Sequence, residues 1–304
     1  MSYSFLVAFL LSIPTHQQAG PVDSPSILNP RTAETVEAAA AAETLAGRDV
    51  VFLGEEHDSL PGHQMQLTLV TEMHKLRPDL VISMEMFERD VQGVLNDYLR
   101  GTIDEETFRK HSRPWPNYEE HYRPIVEFAK ENGLDVIAGN VPRRIASSLA
   151  SGNPAAGSDA VYVPRTTSAP EDAYWANFQG AMHGHGGAGA DDSMRRFYEA
   201  QCLKDDAMAE AITDYLATHP HREPLVVHLC GKFHSDGGLG TVSRLVDRAP
   251  LLQTGIVSMQ TVSADEEADA NELRDVAHFV VIIKKPKDES SEADSADGNP
   301  SSRL

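Results

Sequence analysis

Short apolar segments alternate with segments of helical periodicity along most of this chain, and that alternation limits the fold that it can adopt. Four apolar segments rich in β-branched or aromatic residues predict strands, namely DVVFLG (49–54), DLVISMEMF (79–87), DVIAGN (135–140) and EPLVVHLCG (223–231). Helix-like segments such as 63–78 and 191–219 lie between them. The sequence therefore predicts a three-layer α/β fold, with a mostly parallel sheet and helices on both faces.

The rest of the 304-residue chain predicts one domain with two extensions. Residues 32–285 are expected to form the single α/β domain, with LLQTGIVSMQTV and DVAHFVVIIKKP as its late strands. Residues 1–31 are interpreted as a leader and a linker, and residues 286–304 as an acidic disordered tail. Residues 151–190 are rich in Gly, Ser, Pro and Ala and are interpreted as an insertion or a mobile loop.

The amino-terminal segment FLVAFLL (5–11) is too short to span a bilayer and resembles the apolar region of a secretory signal. No Lys or Arg precedes Arg31, so the usual charged region is missing. Since no cysteine precedes Cys202, we do not expect a lipoprotein anchor on this chain. The sequence predicts an exported protein of the periplasm or cell envelope; the location is cytoplasmic if the apolar segment is not a signal.

The overall charge argues against one class of partner. The formal net charge is −20, whereas binding to nucleic acid requires clustered Lys and Arg that neutralise phosphates. We therefore expect no nucleic-acid partner. The two cysteines, Cys202 and Cys230, lack the spacing of a zinc ribbon or an iron–sulfur site.

Charged side chains cluster where the predicted strands end. Ligands of an open parallel sheet bind beyond the carboxyl ends of its strands. The segments VVFLGEEH and VVHLCGKFH each run from a strand into Gly-x-x-His. The candidate site residues at these ends are Glu55, His57, Glu85, Arg143 and His234.

Glu85 is the strongest single anomaly, because it interrupts the apolar run VISMEMF. A buried carboxylate costs several kcal/mol unless it is paired or ligated. The structural alternative to a site role is a salt bridge to Arg143 or another arginine. Asp205 and Gln201 raise the same question, because they fall on the apolar face of the long helix at 191–219.

Two chemistries fit these residues. Glu55, His57, Glu85 and His234 offer the oxygen and nitrogen ligands of a divalent metal such as zinc or manganese. Without a metal, a histidine held by a carboxylate is a general base and Arg143 stabilises an oxyanion, with Asp205 in support. Separately, HGHGG (183–187) places His183 and His185 between glycines, either as a flexible loop or as adjustable ligands of a metal or haem iron.

Several motifs together resemble the ChaN-like haem-binding uptake family. They are GEEHD (54–58), HQMQ (63–66), EMFERDVQ (85–92), NVPR (140–143), AQCLKDDAMA (200–209) and VHLCGKFH (227–234). The resemblance covers roughly residues 35–260. This family is part of the Tiki superfamily, which also includes Tiki proteases, TraB-like proteins and erythromycin esterases.

The resemblance implies that an exported bacterial protein binds haem for iron uptake, in a homodimer and together with membrane uptake machinery. It implies a tyrosine ligand to the iron, assisted by a histidine. Candidate iron ligands are Tyr98, Tyr118, Tyr122, His183 and His185. Haem also needs an apolar wall, which we expect from Met86, Phe87, Trp115 or the 151–190 segment.

The wider superfamily implies a second function, hydrolysis, which depends on a metal in the Tiki proteases. The positions that match its shared core are Glu55, His57, Glu85 and His234. The first hypothesis is therefore haem binding, and the alternative is a metal-dependent hydrolase. A pure interaction scaffold is a weaker third hypothesis, because a scaffold has no need of a carboxylate inside a strand.

Overall fold

The computed structural model describes residues 24–153, 157–182 and 190–285. Its strands are β1 (Ser26–Asn29), β2 (Glu34–Val36), β3 (Val50–Glu55), β4 (Val81–Glu88), β5 (Val136–Asn140), β6 (Val226–Gly231), β7 (Thr254–Val262) and β8 (Phe279–Lys284). They form one sheet in the order β2-β1-β8-β7-β3-β6-β4-β5. The six strands from β3 to β8 pair in parallel, so their carboxyl ends lie along one edge.

Helices cover both faces of this sheet. They are α1 (Ala38–Leu45), α2 (Leu60–Leu76), α3 (Gln92–Leu99), α4 (Glu105–Ser112), α5 (Tyr118–His121), α6 (Arg123–Glu131), α7 (Arg143–Ala150), α8 (Ala173–Ala181), α9 (Ala190–Thr218), α10 (Thr241–Arg248) and α11 (Ala270–Leu273). The predicted α/β fold, with its mostly parallel sheet, is confirmed. Within the described residues, no helix is long and apolar enough to cross a membrane.

The central strand β3 shows why the sheet needs cover on both sides. Its side chains alternate, and all six of its residues are buried. Val51 and Leu53 belong to an apolar cluster with residues of α1, α2 and α3. Val50 and Phe52 belong to a second cluster, with residues of α9 and α10. Each face of β3 therefore packs into its own core.

Two segments differ from the sequence interpretation. Residues 26–29, interpreted as part of a linker, form β1, which pairs antiparallel with β8 and with β2. The segment 151–190, interpreted as an insertion or mobile loop, contains α8, whose first turn is capped by the side chain of Asp172. These elements have little periodicity of their own, and contacts with distant parts of the chain stabilise them.

Helix α2 begins three residues earlier than its apolar period suggests. The hydroxyl of Ser59 accepts a hydrogen bond from the backbone N–H of Gly62 at 3.3 Å, which caps the helix. Pro61 in the first turn is compatible with a helix start, since its missing N–H would be unpaired there in any case. This early start places His63 and Gln66 on the turn nearest the end of β3.

The edge strand β5 is protected by a side chain. The amide of Gln92 donates to the carbonyl of Val136 at 2.8 Å and accepts from the N–H of Ala138 at 2.7 Å. The side chain thus bonds β5 as a neighbouring strand would. Free edges of this kind otherwise favour pairing between molecules.

Replacing Gln92 with alanine should therefore destabilise the fold. We expect Gln92→Ala to lower the free energy of unfolding by about 1–3 kcal/mol, because two buried backbone groups lose their partners. The measurement is urea unfolding, with Gln64→Ala on the exposed face of α2 as the control. Equal midpoints for the two variants would show that the Gln92 bonds contribute nothing.

Candidate functional site

The two Gly-x-x-His segments pack against each other at the carboxyl edge of the sheet. They follow β3 and β6, which are neighbouring strands with Glu55 opposite Gly231. A Cβ atom on Gly54 would lie 2.9 Å from Cα of Lys232, and one on Gly231 would lie 2.8 Å from Cε1 of His57. Each glycine therefore leaves room for the turn that follows the other strand.

Glu85 lies next to this crossing, on β4, and it is buried. One of its oxygens accepts a hydrogen bond from the N–H of Gly231 at 2.9 Å, and the other lies 3.4 Å from Nε2 of His234. Burial alone would raise the pKa of Glu85, but the charge and hydrogen bond of His234 outweigh it and hold the pKa well below its usual range. Glu85 is therefore ionised in the folded protein.

His234 is the partner that makes this burial tolerable. Its Nδ1 lies 2.7 Å from Oδ1 of Asp205, so the ring is held between two carboxylates. Burial favours the neutral ring, yet the charges of Glu85 and Asp205 raise the pKa of His234 to about 10. Asp205 also accepts hydrogen bonds from Thr241 and Tyr174, each at 2.8 Å. The result is a buried Glu85–His234–Asp205 cluster.

The structural alternative for Glu85, a salt bridge to Arg143 or another arginine, is not found among the described residues. Arg143 starts α7 with its side chain exposed, and no ion pair joins it to Glu85 among the described residues. The sequence did bring Glu85, His234 and Asp205 forward as candidates, and the structure places all three together. It also places Gln201 beside them, with its amide nitrogen 3.1 Å from Nε2 of His234.

Glu55 organises the second half of the site. It is buried and accepts hydrogen bonds from Tyr122 at 2.6 Å and from Gln66 at 2.9 Å. Its oxygens also lie 3.0 Å from Nδ1 of His57 and 3.2 Å from Nε2 of His63. Burial raises the pKa of Glu55, but these histidine contacts outweigh it, so the pKa is lowered.

His57 is the exposed member of the site, with 45% of its side chain accessible. Its ring contacts Trp115 edge-on, with 4.9 Å between the ring centroids. Burial lowers the pKa of His57, but the hydrogen bond to Glu55 and the charge of Glu85 raise it above the ordinary value. A carboxylate that holds Nδ1 while the other ring nitrogen stays available is the arrangement of a general base.

The residues that the sequence interpretation left without a role are His63, Gln66, Tyr174 and Thr241. His63 and Gln66 are one helical turn apart within HQMQ, so their shared face was a usable signal. Tyr174 lies in the segment without pattern, and nothing local marks it. His228 is buried beneath the site, and burial lowers its pKa to about 4, so its ring is neutral.

The predicted metal site is not supported. Glu55, His57, Glu85 and His234 divide into two carboxylate–imidazole pairs, Glu55 with His57 and Glu85 with His234. In the described ranges 24–153, 157–182 and 190–285, no three or more His, Cys, Asp or Glu side chains converge as a metal-binding group. Nδ1 of His57 and Nε2 of His234 each face the carboxylate of their own pair.

The candidate iron ligands lie in different surroundings. Tyr98 stacks on Phe108, with 4.4 Å between the ring centroids, and donates to Glu127. Tyr118 is also buried, and Tyr122 is committed to Glu55. His183 and His185 lie outside the described residues, so their role stays a prediction.

A groove of about 390 Å³ lies beside the buried cluster, between α7, α8 and α9. Gln201 lines this groove and also contacts His234, which joins the two features. Its walls are mainly apolar, and the lining residues are Arg143, Ala146, Ser147, Ala150, Phe178, Met182, Phe197, Ala200, Gln201 and Lys204. Of the apolar walls expected for haem, the 151–190 segment supplies Phe178 and Met182, whereas Met86 and Phe87 are buried in the core.

The parallel sheet and the polar cluster at its strand ends define an α/β protein with a candidate ligand site at the carboxyl edge. A family model described as haem-binding uptake, Tiki superfamily, ChaN matches residues 41–245, more than half of the chain. The chain therefore belongs to the ChaN family of haem-binding uptake proteins. The resemblance seen in its motifs is confirmed.

Solved structures and curated proteins give more distant likenesses. A structure of ChaN of Campylobacter jejuni with cofacially bound haem has a TM-score of 0.68 at 17% identity and covers 86% of this chain and 98% of that one, which establishes the shared fold. An erythromycin esterase mutant in its open conformation has a TM-score of 0.46 at 13% identity, covering 85% of this chain and 83% of that one. RETICULATA-RELATED 5, a chloroplastic protein of Arabidopsis thaliana, is 27% identical over 111 residues, which are 34% of this chain but 15% of that protein.

Gly231 should be required for the position of His57. Its φ of −56° suits any residue, so only the contact with the ring opposes a side chain there. We expect Gly231→Ala to displace the ring and bring the pKa of His57 back towards its ordinary value, as followed by NMR. Gly93→Ala, whose Cβ would meet nothing within 4 Å, is the control. An unchanged His57 pKa in folded Gly231→Ala protein would contradict this role.

The buried cluster should also make stability depend on pH. The pKa of His234 rises from 6.5 to about 10 on folding, so its contribution is complete below about pH 6.5 and is lost as the pH rises through 10. Between pH 6.5 and 9 the stability advantage of the wild type over His234→Gln should shrink by more than ~1 kcal/mol. The measurement is urea unfolding at several pH values. The control, His111→Gln on the exposed side of α4, should follow the wild type; a pH-independent advantage would argue against a charged His234.

Proposed function

We propose that this protein binds haem and serves iron acquisition. Membership of the haem-binding uptake family supports the proposal at the level of the ligand. The observation that supports a particular location for the haem site is the groove between α7, α8 and α9, which combines apolar walls with cationic residues.

The groove fits the chemistry of haem. A macrocycle needs apolar contacts along its faces, and Phe178, Met182 and Phe197 provide them. Its propionates need cations, which Arg143 and Lys204 provide. Phe197 is 48% exposed, so part of this surface is open to a ligand or to a second copy of the chain. In this proposal haem is cargo, and the chain's residues hold and orient it.

The proposal extends to location and partners. The signal-like segment at 5–11 supports export to the periplasm or cell envelope, and it lies outside the described residues. The proposal includes a homodimer that holds haem between its subunits and delivers it to membrane uptake machinery, as the family resemblance implies. Tyr98, Tyr118 and Tyr122 are buried and do not line this groove, so of the candidate iron ligands His183 and His185 stay with the proposal.

A haemin titration followed at the Soret band tests the proposal. We expect saturation at one haem per chain, together with a shift from monomer to dimer in analytical ultracentrifugation. Phe197→Glu should weaken binding at least about tenfold, because it places a like charge against the propionates and removes an apolar wall. Val246→Glu, on α10 and outside the groove, should bind as the wild type does. A linear, non-saturating signal would refute the proposal.

A second candidate function is hydrolysis with His57 as the general base. The observation that favours it is the 3.0 Å contact of His57 with buried Glu55, combined with an exposed ring. The base would take a proton from water as the water attacks an ester or amide carbonyl, and Glu55 would stabilise the imidazolium. The imidazolium would then return that proton to the departing alcohol or amine as the C–O or C–N bond breaks, which leaves the carboxylic acid product.

The two candidate functions can be separated with one variant. If hydrolysis occurs, His57→Gln should lower the turnover of an ester panel at least about 100-fold, because the base is lost. The same variant should keep the haem affinity of the wild type, since His57 does not line the groove among the described residues. His111→Gln is the matched control on the surface. Equal ester turnover in wild type and His57→Gln would remove the hydrolytic candidate.

A further inference from the structure

We infer that the groove recognises the carboxylates of its ligand, so that it takes metal-free dicarboxylate tetrapyrroles as well as haem. This inference rests on the proposed haem function and specifies its ligand class. The structural basis is a pair of cations, Arg143 and Lys204, on an apolar groove. Affinity should then follow the carboxylates of the macrocycle more closely than its iron.

Arg143 is free to bind an external anion. Its side chain is exposed, and it forms no ion pair with any carboxylate of the residues that the structure describes. Its neighbour Arg144, by contrast, pairs with Asp90 and with Asp159. Two adjacent arginines on α7 therefore differ: Arg144 is paired with two carboxylates, and Arg143 remains available.

Lys204 gives the second positive charge. It forms no ion pair within the described residues, although its charge helps to lower the pKa of Glu85. It directly precedes Asp205 on α9, so its backbone is fixed by the buried cluster. Both cations thus lie on rigid helices that face one groove, which reduces the entropy lost when an anion binds.

The balance of charge in the groove is unusual for this chain, whose net charge is −20. Among the described residues, neither Asp nor Glu lines the groove. The larger cavity of about 510 Å³ beside β5 is different, because Asp135 and Asp214 lie there with Arg89 and Arg100. Of these two cavities, the groove at α7, α8 and α9 is the one that combines apolar walls with cations and has no Asp or Glu in its described lining. This combination suits an amphipathic dianion.

The apolar walls of the groove contribute to binding whether or not the macrocycle holds iron. Phe178 and Phe197 make dispersion and area contacts with a macrocycle whether or not it holds iron. The carboxylate contacts then decide which macrocycles bind. Partly exposed ion pairs contribute modestly one by one, and two of them together correspond to about tenfold in affinity.

Three ligands test the inference on the full chain: haemin, protoporphyrin IX and protoporphyrin IX dimethyl ester. Binding is followed by quenching of tryptophan fluorescence. We expect protoporphyrin IX to bind within about tenfold of haemin, and the dimethyl ester to bind at least about tenfold more weakly than the free acid. The affinity for the free acid should also fall as salt rises, because the ion pairs are partly exposed.

The double variant R143Q/K204Q should bind both free acids about tenfold more weakly and lose most of the salt dependence. The matched control K75Q/K110Q changes the net charge equally at exposed positions of α2 and α4, and it should bind as the wild type does. Circular dichroism should confirm that both variants are folded.

The outcomes separate the two proposals. If haemin binds but protoporphyrin IX is more than about 100-fold weaker, the iron sets the affinity and the carboxylate inference fails while the haem proposal stands. Equal affinities of the free acid and the dimethyl ester would also overturn the inference. If no porphyrin saturates the protein, the haem proposal itself fails, and the inference with it.

Discussion

The structure depends on one carboxylate inside the sheet. A buried charge such as Glu85 costs several kcal/mol unless it is paired, and removing one partner of a buried pair typically costs about 3–5 kcal/mol. Its partners come from β6, in the N–H of Gly231, and from the following turn, in His234. His234 in turn needs Asp205 on α9. The charged contacts of Glu85, His234 and Asp205 thus link the sheet, the turn after β6 and helix α9.

The two carboxylate–imidazole pairs differ in what they leave open. Glu85 and His234 are both buried, so their charges fix the positions of the two side chains and the electrostatic field around them. Glu55 is equally buried, but its partner His57 reaches solvent. Helix α9 joins these features to the neighbouring groove, because Gln201 and Lys204 line the groove while Asp205 points into the cluster. A ligand in the groove would therefore contact α9 next to the part of the helix that holds Asp205 in the charged cluster.

Sequence reasoning succeeded where the physical signal was local and failed where the partner was distant. The apolar neighbours of Glu85 in VISMEMF are enough to show that its burial costs free energy. The spacing of Asp205 is enough to place it on an apolar helix face. The partner of Glu85 could not be read in that way: the sequence offered Arg143 or another arginine as one alternative, whereas the structure pairs Glu85 with His234. The metal hypothesis is not supported for a similar reason, since residue types do not reveal whether an imidazole already faces a carboxylate.

The sequence by itself determined the α/β architecture and the edge of the sheet at which the polar residues gather. The periodicity of apolar residues and the positions at which strands end depend on residues close together in the chain, so they can be predicted without knowledge of tertiary contacts. Only the tertiary structure decided how Gly54 and Gly231 interlock, which histidine pairs with which carboxylate, and that α8 closes one wall of a groove. These outcomes depend on distances between segments far apart in the chain, and packing alone sets such distances.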